Sequence, residues 1–161
     1  ADVIVTATGL DLLFMAGIDV TLDGRKVAFP ETYGYKGIMF SGVPNLAVAF
    51  GYTNASWTLK CDLTCEYVCR LLNHMKRTGL RQATPVNEDP SVTLEPWLDF
   101  TSGYVQRAMA KFPKQGSKPP WRLHQNYAMD LLSLRHAKLE DGVLRFSNPE
   151  RQTRAAEKLA A

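Results

Sequence analysis

The segment from Leu46 to Arg77 constrains the fold most, because it joins an apolar run, a glycine turn and a long helical pattern. Leu46–Phe50 is a short apolar run that predicts a buried strand. Gly51 and the small polar residues after it turn the chain, and apolar residues at i+4 spacing predict a helix from Ala55 to about Arg77. A strand followed directly by a turn and a helix is typical of α/β proteins, so we expect an α/β fold.

The helical pattern carries two adjacent apolar stripes, which predict a central helix that packs on more than one side. Gly79 predicts its end. The cysteines are interpreted as small buried core residues, because structural zinc sites pair close cysteines on a turn and need a fourth ligand. We therefore predict no metal site. The stripes are Leu59, Leu63, Tyr67 and Leu71, and beside them Cys61, Cys65, Val68, Leu72 and Met75, with Cys69 as the third cysteine.

The start of this helix is the best candidate site. A glycine and small polar residues before a helix direct several backbone N–H groups at one spot, where the helix dipole is positive. Residues 52–56 therefore predict a binding place for an anion or an electron-rich ring edge. An ordinary turn, in which Asn54 or Ser56 caps the helix, is an equally open alternative.

Two features precede this segment. Asp2–Gly9 is a run of β-branched residues ending in Ala-Thr-Gly, which predicts an interior parallel strand with ligands favoured beyond its carboxyl end. Ile18–Leu22 and Arg25–Phe29 flank Asp23-Gly24, a two-residue sequence that strongly predicts a hairpin turn. The expected order is strand, hairpin, short strand, strand and long helix.

The second half of the chain predicts shorter elements. Arg81–Pro96 is polar and contains three prolines, so it is interpreted as a linker or surface excursion. Short helices are expected at Tyr104–Phe112, with a cap near Ser102, and at Asn126–His136. An Asp141-Gly142 turn then leads into the apolar run Val143–Phe146.

A basic loop lies between the two short helices. One hypothesis is a phosphate-binding or nucleotide-binding element; the alternative is a solvated loop that Trp121 pins to the core. Its charged residues are Lys114, Lys118, Arg122 and His124, with Trp121 and Tyr127 as aromatic neighbours.

Composition limits the remaining classes. The 161 residues are 45% hydrophobic and 22% charged, which is typical of a globular chain with one domain or parts of two. The net charge of +3 is too small and too evenly spread to predict nucleic-acid binding. No apolar run reaches the roughly 20 residues of a membrane span, so we expect a cytoplasmic protein. The chain begins within a strand pattern without Met and ends in a vector-like Lys158–Ala161, which suggests a piece of a longer protein.

Several motifs together resemble one enzyme family. The chain is similar to the C-terminal third of class B flavin-dependent monooxygenases, in particular the bacterial Baeyer–Villiger type with mycobacterial members. The motifs are Asp2-Val-Ile-Val-Thr-Ala-Thr-Gly9, Tyr35-Lys-Gly-Ile-Met-Phe-Ser-Gly-Val-Pro-Asn-Leu46, Gly51-Tyr-Thr-Asn-Ala-Ser-Trp-Thr-Leu-Lys60, Phe100-Thr-Ser-Gly-Tyr-Val105, Pro113-Lys-Gln-Gly-Ser117 and Pro120-Trp-Arg-Leu-His-Gln-Asn-Tyr127.

The resemblance implies the C-terminal fragment of a flavoprotein with two dinucleotide-binding domains. Residues 1–34 would end the NADPH-binding domain and include the hairpin. Residues 35–80 would be the C-terminal part of the FAD-binding domain, with the strand, turn and long helix. Residues 81–99 would be a linker, 100–148 a helical or irregular C-terminal extension, and 149–161 a tail.

The resemblance also implies which residues lie near the cofactors. Ala7, Thr8 and Gly9 would lie where the two domains meet. The turn residues would lie beside the flavin ring, and two residues of the basic loop would contact NADP or line the substrate cavity. The complete set of cofactor-binding residues is Ala7, Thr8, Gly9, Thr53, Asn54, Ser56, Trp57, Trp121 and Gln125.

The implied reaction uses NADPH to reduce FAD, and then O2 to form a C4a-peroxyflavin that gives one oxygen atom to a ketone or thio-compound. No GxGxxG fingerprint and no convincing catalytic constellation is present, so this chain is expected to need the N-terminal part of the same protein and to be inactive alone. A homo-oligomer is possible. The alternative function is a non-catalytic binding or interaction module that retains a flavoprotein-like fold.

Overall fold

The structure is a computed structural model that describes residues 1–149. It confirms a small α/β fold, but its sheets are four separate antiparallel pairs. The pairs are β1–β2, β3–β4, β5–β8 and β6–β7. The strands are β1 (Thr21–Leu22), β2 (Arg25–Lys26), β3 (Gly34–Tyr35), β4 (Met39–Phe40), β5 (Gln82–Pro85), β6 (Leu94–Pro96), β7 (Lys114–Gly116) and β8 (Leu144–Ser147).

The helices follow the sequence predictions closely. The long helix α1 ends at Gly79, which has the left-handed φ of 70° expected of a glycine stop. Short 3-10 turns occupy Phe14–Gly17, Phe29–Glu31 and Met109–Lys111, and a π-helix at Leu131–His136 continues α3. The α-helices are α1 (Trp57–Thr78), α2 (Gly103–Ala108) and α3 (Tyr127–Asp130). No helix in the described part of the chain combines the length and apolar character needed to cross a membrane.

Three local predictions are confirmed. The Asp23-Gly24 hairpin forms with both residues at positive φ, 50° and 79°. Helix α2 begins directly after Ser102, although the Ser102 side chain makes no cap hydrogen bond. The helix predicted from Asn126 also begins there, and the Asn126 side chain accepts a hydrogen bond from the Met129 N–H. These outcomes depend on local chemistry that the sequence carries directly.

The core consists of two clusters of buried side chains. One joins the inner face of α1, through Leu63, Tyr67 and Leu71, to Tyr35 and Trp121. The other is aromatic, lies beside α2, and contains Phe29, Phe40, Val43, Trp97, Leu98, Val105, Ala108 and Phe112. The start of α1 lies beside the aromatic cluster, because Trp57 packs on Phe50, which contacts that cluster.

The predicted parallel strand at Asp2–Gly9 is wrong for this structure. Residues 1–9 have no strand assignment, and Val3, Ile4 and Val5 are 78%, 81% and 85% exposed. A strand needs a neighbour to pair its N–H and C=O groups. Within residues 1–149, no segment pairs with this run.

Leu46–Phe50 also differs from the predicted buried strand. Its side chains alternate between half-buried and exposed, and it belongs to no sheet. A hydrogen bond of 2.8 Å from Val48 N to Ile38 O and packing of Val48 and Phe50 against the aromatic cluster hold it in place. The apolar pattern therefore identified a packed segment but not its backbone partner.

The second apolar stripe of α1 and its cysteines are not buried as predicted. The buried face contains Leu63, Tyr67 and Leu71, whereas Leu59 and Leu72 are exposed. All three cysteines are free thiols; Cys61 is half-buried, and Cys65 and Cys69 are exposed. The predicted buried cysteines are corrected because the described residues cover only one side of α1.

The segment 81–96 is more ordered than a linker, because it contains β5 and β6. Strand β5 pairs with β8 from Gln82↔Ser147 to Pro85↔Leu144, so it is tied to the far end of the chain. The prolines led to the wrong prediction, because Pro85 and Pro96 end strands of two-stranded sheets, in which every strand is an edge strand and proline is tolerated. The domain boundaries themselves remain predictions, and Lys158–Ala161 falls outside the described residues.

Candidate functional site

The candidate site is the turn Tyr52–Asn54 and the first residues of α1. Gly51 lies directly under the indole of Trp57, since a Cβ at this position would be 2.1 Å from Trp57 Cδ2. Phe50 packs on the same indole with ring centroids 4.9 Å apart. A glycine is therefore required where the chain passes under Trp57 into the helix.

Gln125 holds the turn from the opposite side of the site. Its Oε1 accepts hydrogen bonds from Thr53 N at 3.1 Å and Thr53 Oγ1 at 3.2 Å. Its backbone oxygen accepts a third bond, of 2.9 Å, from Asn54 Nδ2. The structure thus brings Thr53 and Asn54 together with Gln125, a third predicted site residue more than seventy positions later in the chain.

The start of α1 has no side-chain cap. Ser56 occupies the boundary position, but its hydroxyl bonds to Thr58 Oγ1 at 2.9 Å and makes no cap bond, and the first turn contains no acidic residue. The first N–H groups of an α-helix have no intrahelical acceptor. Ser56 therefore occupies the cap position expected in the alternative but lacks the cap hydrogen bond, so no side chain accepts from the N–H groups at the positive end of the helix dipole.

A buried ion pair lies beneath the turn. Lys60 Nζ lies 2.7 Å from Asp130 Oδ2, and the two side chains are only 8% and 3% exposed. Tyr52 donates a 2.7 Å hydrogen bond to the same oxygen. Burial lowers the pKa of Lys60 against the effect of Asp130, and burial together with the Asp130 hydrogen bond raises that of Tyr52. Asp130 therefore ties the turn, α1 and α3 together at one atom.

Sequence reasoning missed this cluster of Tyr52, Lys60 and Asp130. A signal was available, because Lys60 falls one turn before Leu63 and Thr64 on the face that the apolar stripe buries. A lysine on a buried face needs a carboxylate partner. The partner was not identifiable, since Asp130 is seventy residues away on another helix.

A second polar cluster also lies beside α1. Tyr35 donates a 2.5 Å hydrogen bond to Asp141 Oδ2, and Lys36 Nζ lies 3.1 Å from the same oxygen. Burial alone would raise the pKa of Asp141, but hydrogen bonds from Tyr35 and Leu144 and the charge of Lys36 lower it. Burial raises the pKa of Tyr67, the neighbour of Tyr35, to about 12.

The remaining predicted site residues lie apart from this arrangement. Ala7, Thr8 and Gly9 are exposed, and Gly9 would accommodate a Cβ with nothing within 4 Å. Trp121 is 2% exposed and packs against Tyr33 and Tyr35 in the core. This burial favours the alternative in which Trp121 pins the basic loop, and it leaves no ring face free for a nucleotide.

The sequence of this chain is similar to those of several curated proteins. The chain is 48% identical over 147 residues to the FAD-containing monooxygenase EthA of Mycolicibacterium smegmatis, covering 91% of the chain and 30% of that protein. The chain is homologous to part of the FAD-containing monooxygenases. It is also 42% identical to the probable FAD-binding monooxygenase AlmA of Acinetobacter baylyi and 44% to the putative FAD-containing monooxygenase MymA of Mycobacterium tuberculosis, with the same shares covered.

These relatives confirm the predicted resemblance to flavin-dependent monooxygenases. The chain spans about 30% of their length, so it corresponds to one portion of each. No family model matches the chain. No solved structure matches it.

Proposed function

We propose that this chain forms one wall of the FAD site in an FAD-dependent and NADPH-dependent monooxygenase. The observation that carries the proposal is the uncapped start of α1 beside a turn held rigid by Gln125, in a chain homologous to FAD-containing monooxygenases. The turn residues Thr53, Asn54 and Ser56, with Trp57, would line the flavin ring. Ala7, Thr8 and Gly9 would approach the cofactors only when the rest of the protein supplies partners for their segment.

The donor set of the turn suits a flavin. The edge of the flavin pyrimidine presents carbonyl oxygens and a ring nitrogen, which accept hydrogen bonds and gain negative charge when the ring is reduced. The start of α1 offers N–H groups, the Ser56 and Thr58 hydroxyls and no carboxylate in its first turn. A preorganised set of donors is most valuable where charge develops during the reaction.

FAD, when bound, supplies the redox chemistry by which electrons from NADPH and one oxygen atom of O2 reach a ketone or thio-compound. The residues of this chain orient the ring and hold donors at its edge. Gln125 keeps the Thr53 N–H and hydroxyl fixed, and the exposed Trp57 indole would exclude water from one side of the ring. The pyrophosphate would be held by residues outside this chain, because no GxGxxG fingerprint occurs in it.

The rival proposal is a non-catalytic module that retains this fold. The full-length protein that contains this chain separates the two: we expect it to purify yellow, with the absorbance of oxidised flavin, and to consume NADPH. A colourless protein that takes up no FAD on reconstitution would falsify the enzyme proposal and favour the binding module.

A variant tests the site itself. Asn54→Ala in the full-length protein should slow flavin reduction or oxygen transfer by about tenfold, which corresponds to ~1.4 kcal/mol, while circular dichroism stays unchanged. Asn73→Ala, at an exposed asparagine on α1, is the matched control. Equal turnover and equal peroxide release in both variants would count against the assignment.

A further inference from the structure

A cleft of about 420 Å³ lies on the side of the molecule formed by the basic loop, the π-helix and the Asp141 turn. This volume is within the ~300–1,000 Å³ range of small-molecule sites. Pro119, Pro120, Ala137 and Val143 supply an apolar lining, and the remaining residues that line it are mostly charged. The proposed flavin site does not use this cleft, because it is built by different residues from the turn at the start of α1.

The charged residues that line the cleft are not all paired with one another. Two of the carboxylates in the lining have a cationic partner, since Asp130 pairs with Lys60 and Asp141 with Lys36. Arg122 and Lys138 also line the cleft. Among the described residues, neither side chain has an acidic partner or hydrogen-bond acceptor.

The floor of the cleft is preformed. The Lys36 side chain is 7% exposed, and its backbone N–H donates a 2.8 Å hydrogen bond to Pro120 O. Lys36 has a φ of 51°, the left-handed region that a non-glycine residue occupies only when its surroundings impose it. The proline wall and the Lys36–Asp141 pair are thus fixed to each other, so a ligand would meet an ordered surface.

We propose that this cleft binds a small phosphate-bearing molecule, with the phosphate at Arg122 and Lys138 and an apolar or flat body against Pro119 and Pro120. Guanidinium and ammonium groups are the side chains best suited to phosphate, and Arg offers it two parallel N–H bonds. The site is separate from the flavin site and extends the proposed function with a second ligand. It also gives Arg122 of the basic loop a role, while Trp121 pins that loop to the core.

The test is calorimetric titration of the full-length protein, with NADP⁺ in excess so that a nicotinamide cofactor site is filled. Phenyl phosphate is the probe, because it joins a phosphate to a flat apolar body. Phenol lacks the phosphate and inorganic phosphate lacks the body. Phenyl phosphate should bind at least roughly tenfold more tightly than either, since a hydrogen-bonded charge pair contributes about one tenfold step or more.

Variants locate the binding. Arg122→Gln and Lys138→Gln should each weaken phenyl phosphate by roughly tenfold. Lys118→Gln is the matched control, because Lys118 belongs to the same loop but contacts Ser91 and Asp89 outside the cleft. Ala137→Phe, which fills the cleft and leaves its charge intact, should also abolish binding.

Several outcomes would overturn the proposal. They are no binding of phenyl phosphate, loss of binding in excess NADP⁺, equal affinity for phenol, and wild-type affinity in Arg122→Gln or Ala137→Phe. Equal weakening in Lys118→Gln would also overturn it, because it would indicate a diffuse electrostatic effect of the basic surface. Circular dichroism confirms that each variant is folded before its affinity is compared.

Discussion

Two regions of this chain have the same sequence pattern and different structures. Asp2–Gly9 and Leu46–Gly51 are both apolar runs that end in glycine, and both predict buried strands. The first is exposed along its length, whereas the second is half-buried and leads into a turn that Gln125 and Asp130 fasten from below. An apolar run therefore indicates a surface that some other segment must cover. Whether this chain contains that segment cannot be read from the run itself.

The largest effect on stability is expected at the buried ion pair of Lys60 and Asp130, which lies beneath the second of these two regions. Asp130→Asn keeps an acceptor for Tyr52 but leaves the Lys60 charge uncompensated beside an α1 face that water does not reach. Removing one partner of a buried pair costs about 3–5 kcal/mol. Urea unfolding should therefore show a loss of this size.

Its control distinguishes the pair from general charge effects. Asp62→Asn, at an exposed carboxylate on the same helix, should change the free energy of unfolding by less than about 0.5 kcal/mol. Replacing both partners, in Lys60→Met with Asp130→Leu, should recover most of the loss, because a buried pair contributes little net stability over apolar residues. A double variant as unstable as Asp130→Asn would show that the pair holds the turn in a way apolar packing does not replace.

The second effect is a pH dependence of the core under α1. Burial raises the pKa of Tyr67 from 10.0 to about 12, so the folded state keeps a proton that the unfolded state releases. The contribution of Tyr67 to stability is present below pH 10 and is lost as the pH rises towards 12, by up to about 2.7 kcal/mol. Unfolding experiments across this range should show a flatter profile for Tyr67→Phe than for the wild type.

An exposed tyrosine provides the matched comparison. Tyr127→Phe changes the same atoms at a position that is 39% exposed. Tyr35, which contacts Tyr67 at 3.4 Å between hydroxyl oxygens and also has a raised pKa, contributes with the same sign. If Tyr67→Phe parallels the wild type throughout, proton release in the core is not the cause of alkaline unfolding.

The third effect concerns Gln125 and the turn. Gln125→Ala removes the acceptor of the Thr53 N–H and hydroxyl, which should cost about 1–2 kcal/mol of stability. Gln125→Glu keeps an acceptor oxygen and should retain the Thr53 bonds. In the full-length protein, flavin reduction should slow in Gln125→Ala and recover in Gln125→Glu; slowing in neither variant would separate the turn from the flavin.

Local chemistry explains which parts of the fold were predictable. The Asp23-Gly24 hairpin, the Gly79 stop and the helix start at Asn126 are each specified within a few residues, and all three were predicted correctly. The strand pairing of β5 with β8 was not predictable, because Gln82 meets Ser147 across sixty-five positions and Pro85 obscures the first strand. Pairing over such distances is set by tertiary packing rather than by local propensity.

The candidate site also contains residues that the sequence predicted and residues that it did not. Thr53, Asn54 and Gln125 were named from the sequence, and the structure brings them together. The residues beneath them were missed, since Lys60 and Asp130 each resemble an ordinary helix surface residue until they are placed side by side. The exposed Cys65 and Cys69 were misplaced for the opposite reason: their helical stripe predicted a covering element that the described residues do not supply.

The smallest effect on stability is expected in the exposed first segment of the chain. Ile4→Ala should change the free energy of unfolding of the 161-residue chain by less than about 0.5 kcal/mol, because the side chain is 81% exposed. Val43→Ala, at a position 5% exposed in the aromatic cluster, should cost about 1–3 kcal/mol and is the control for a buried site. In the full-length protein, the proposed function places the first segment against another strand, so Ile4→Ala should there approach the cost of Val43→Ala. An Ile4→Ala effect that stays near zero in the longer protein would mean that residues 2–9 remain uncovered, and that Ala7, Thr8 and Gly9 do not reach the cofactors.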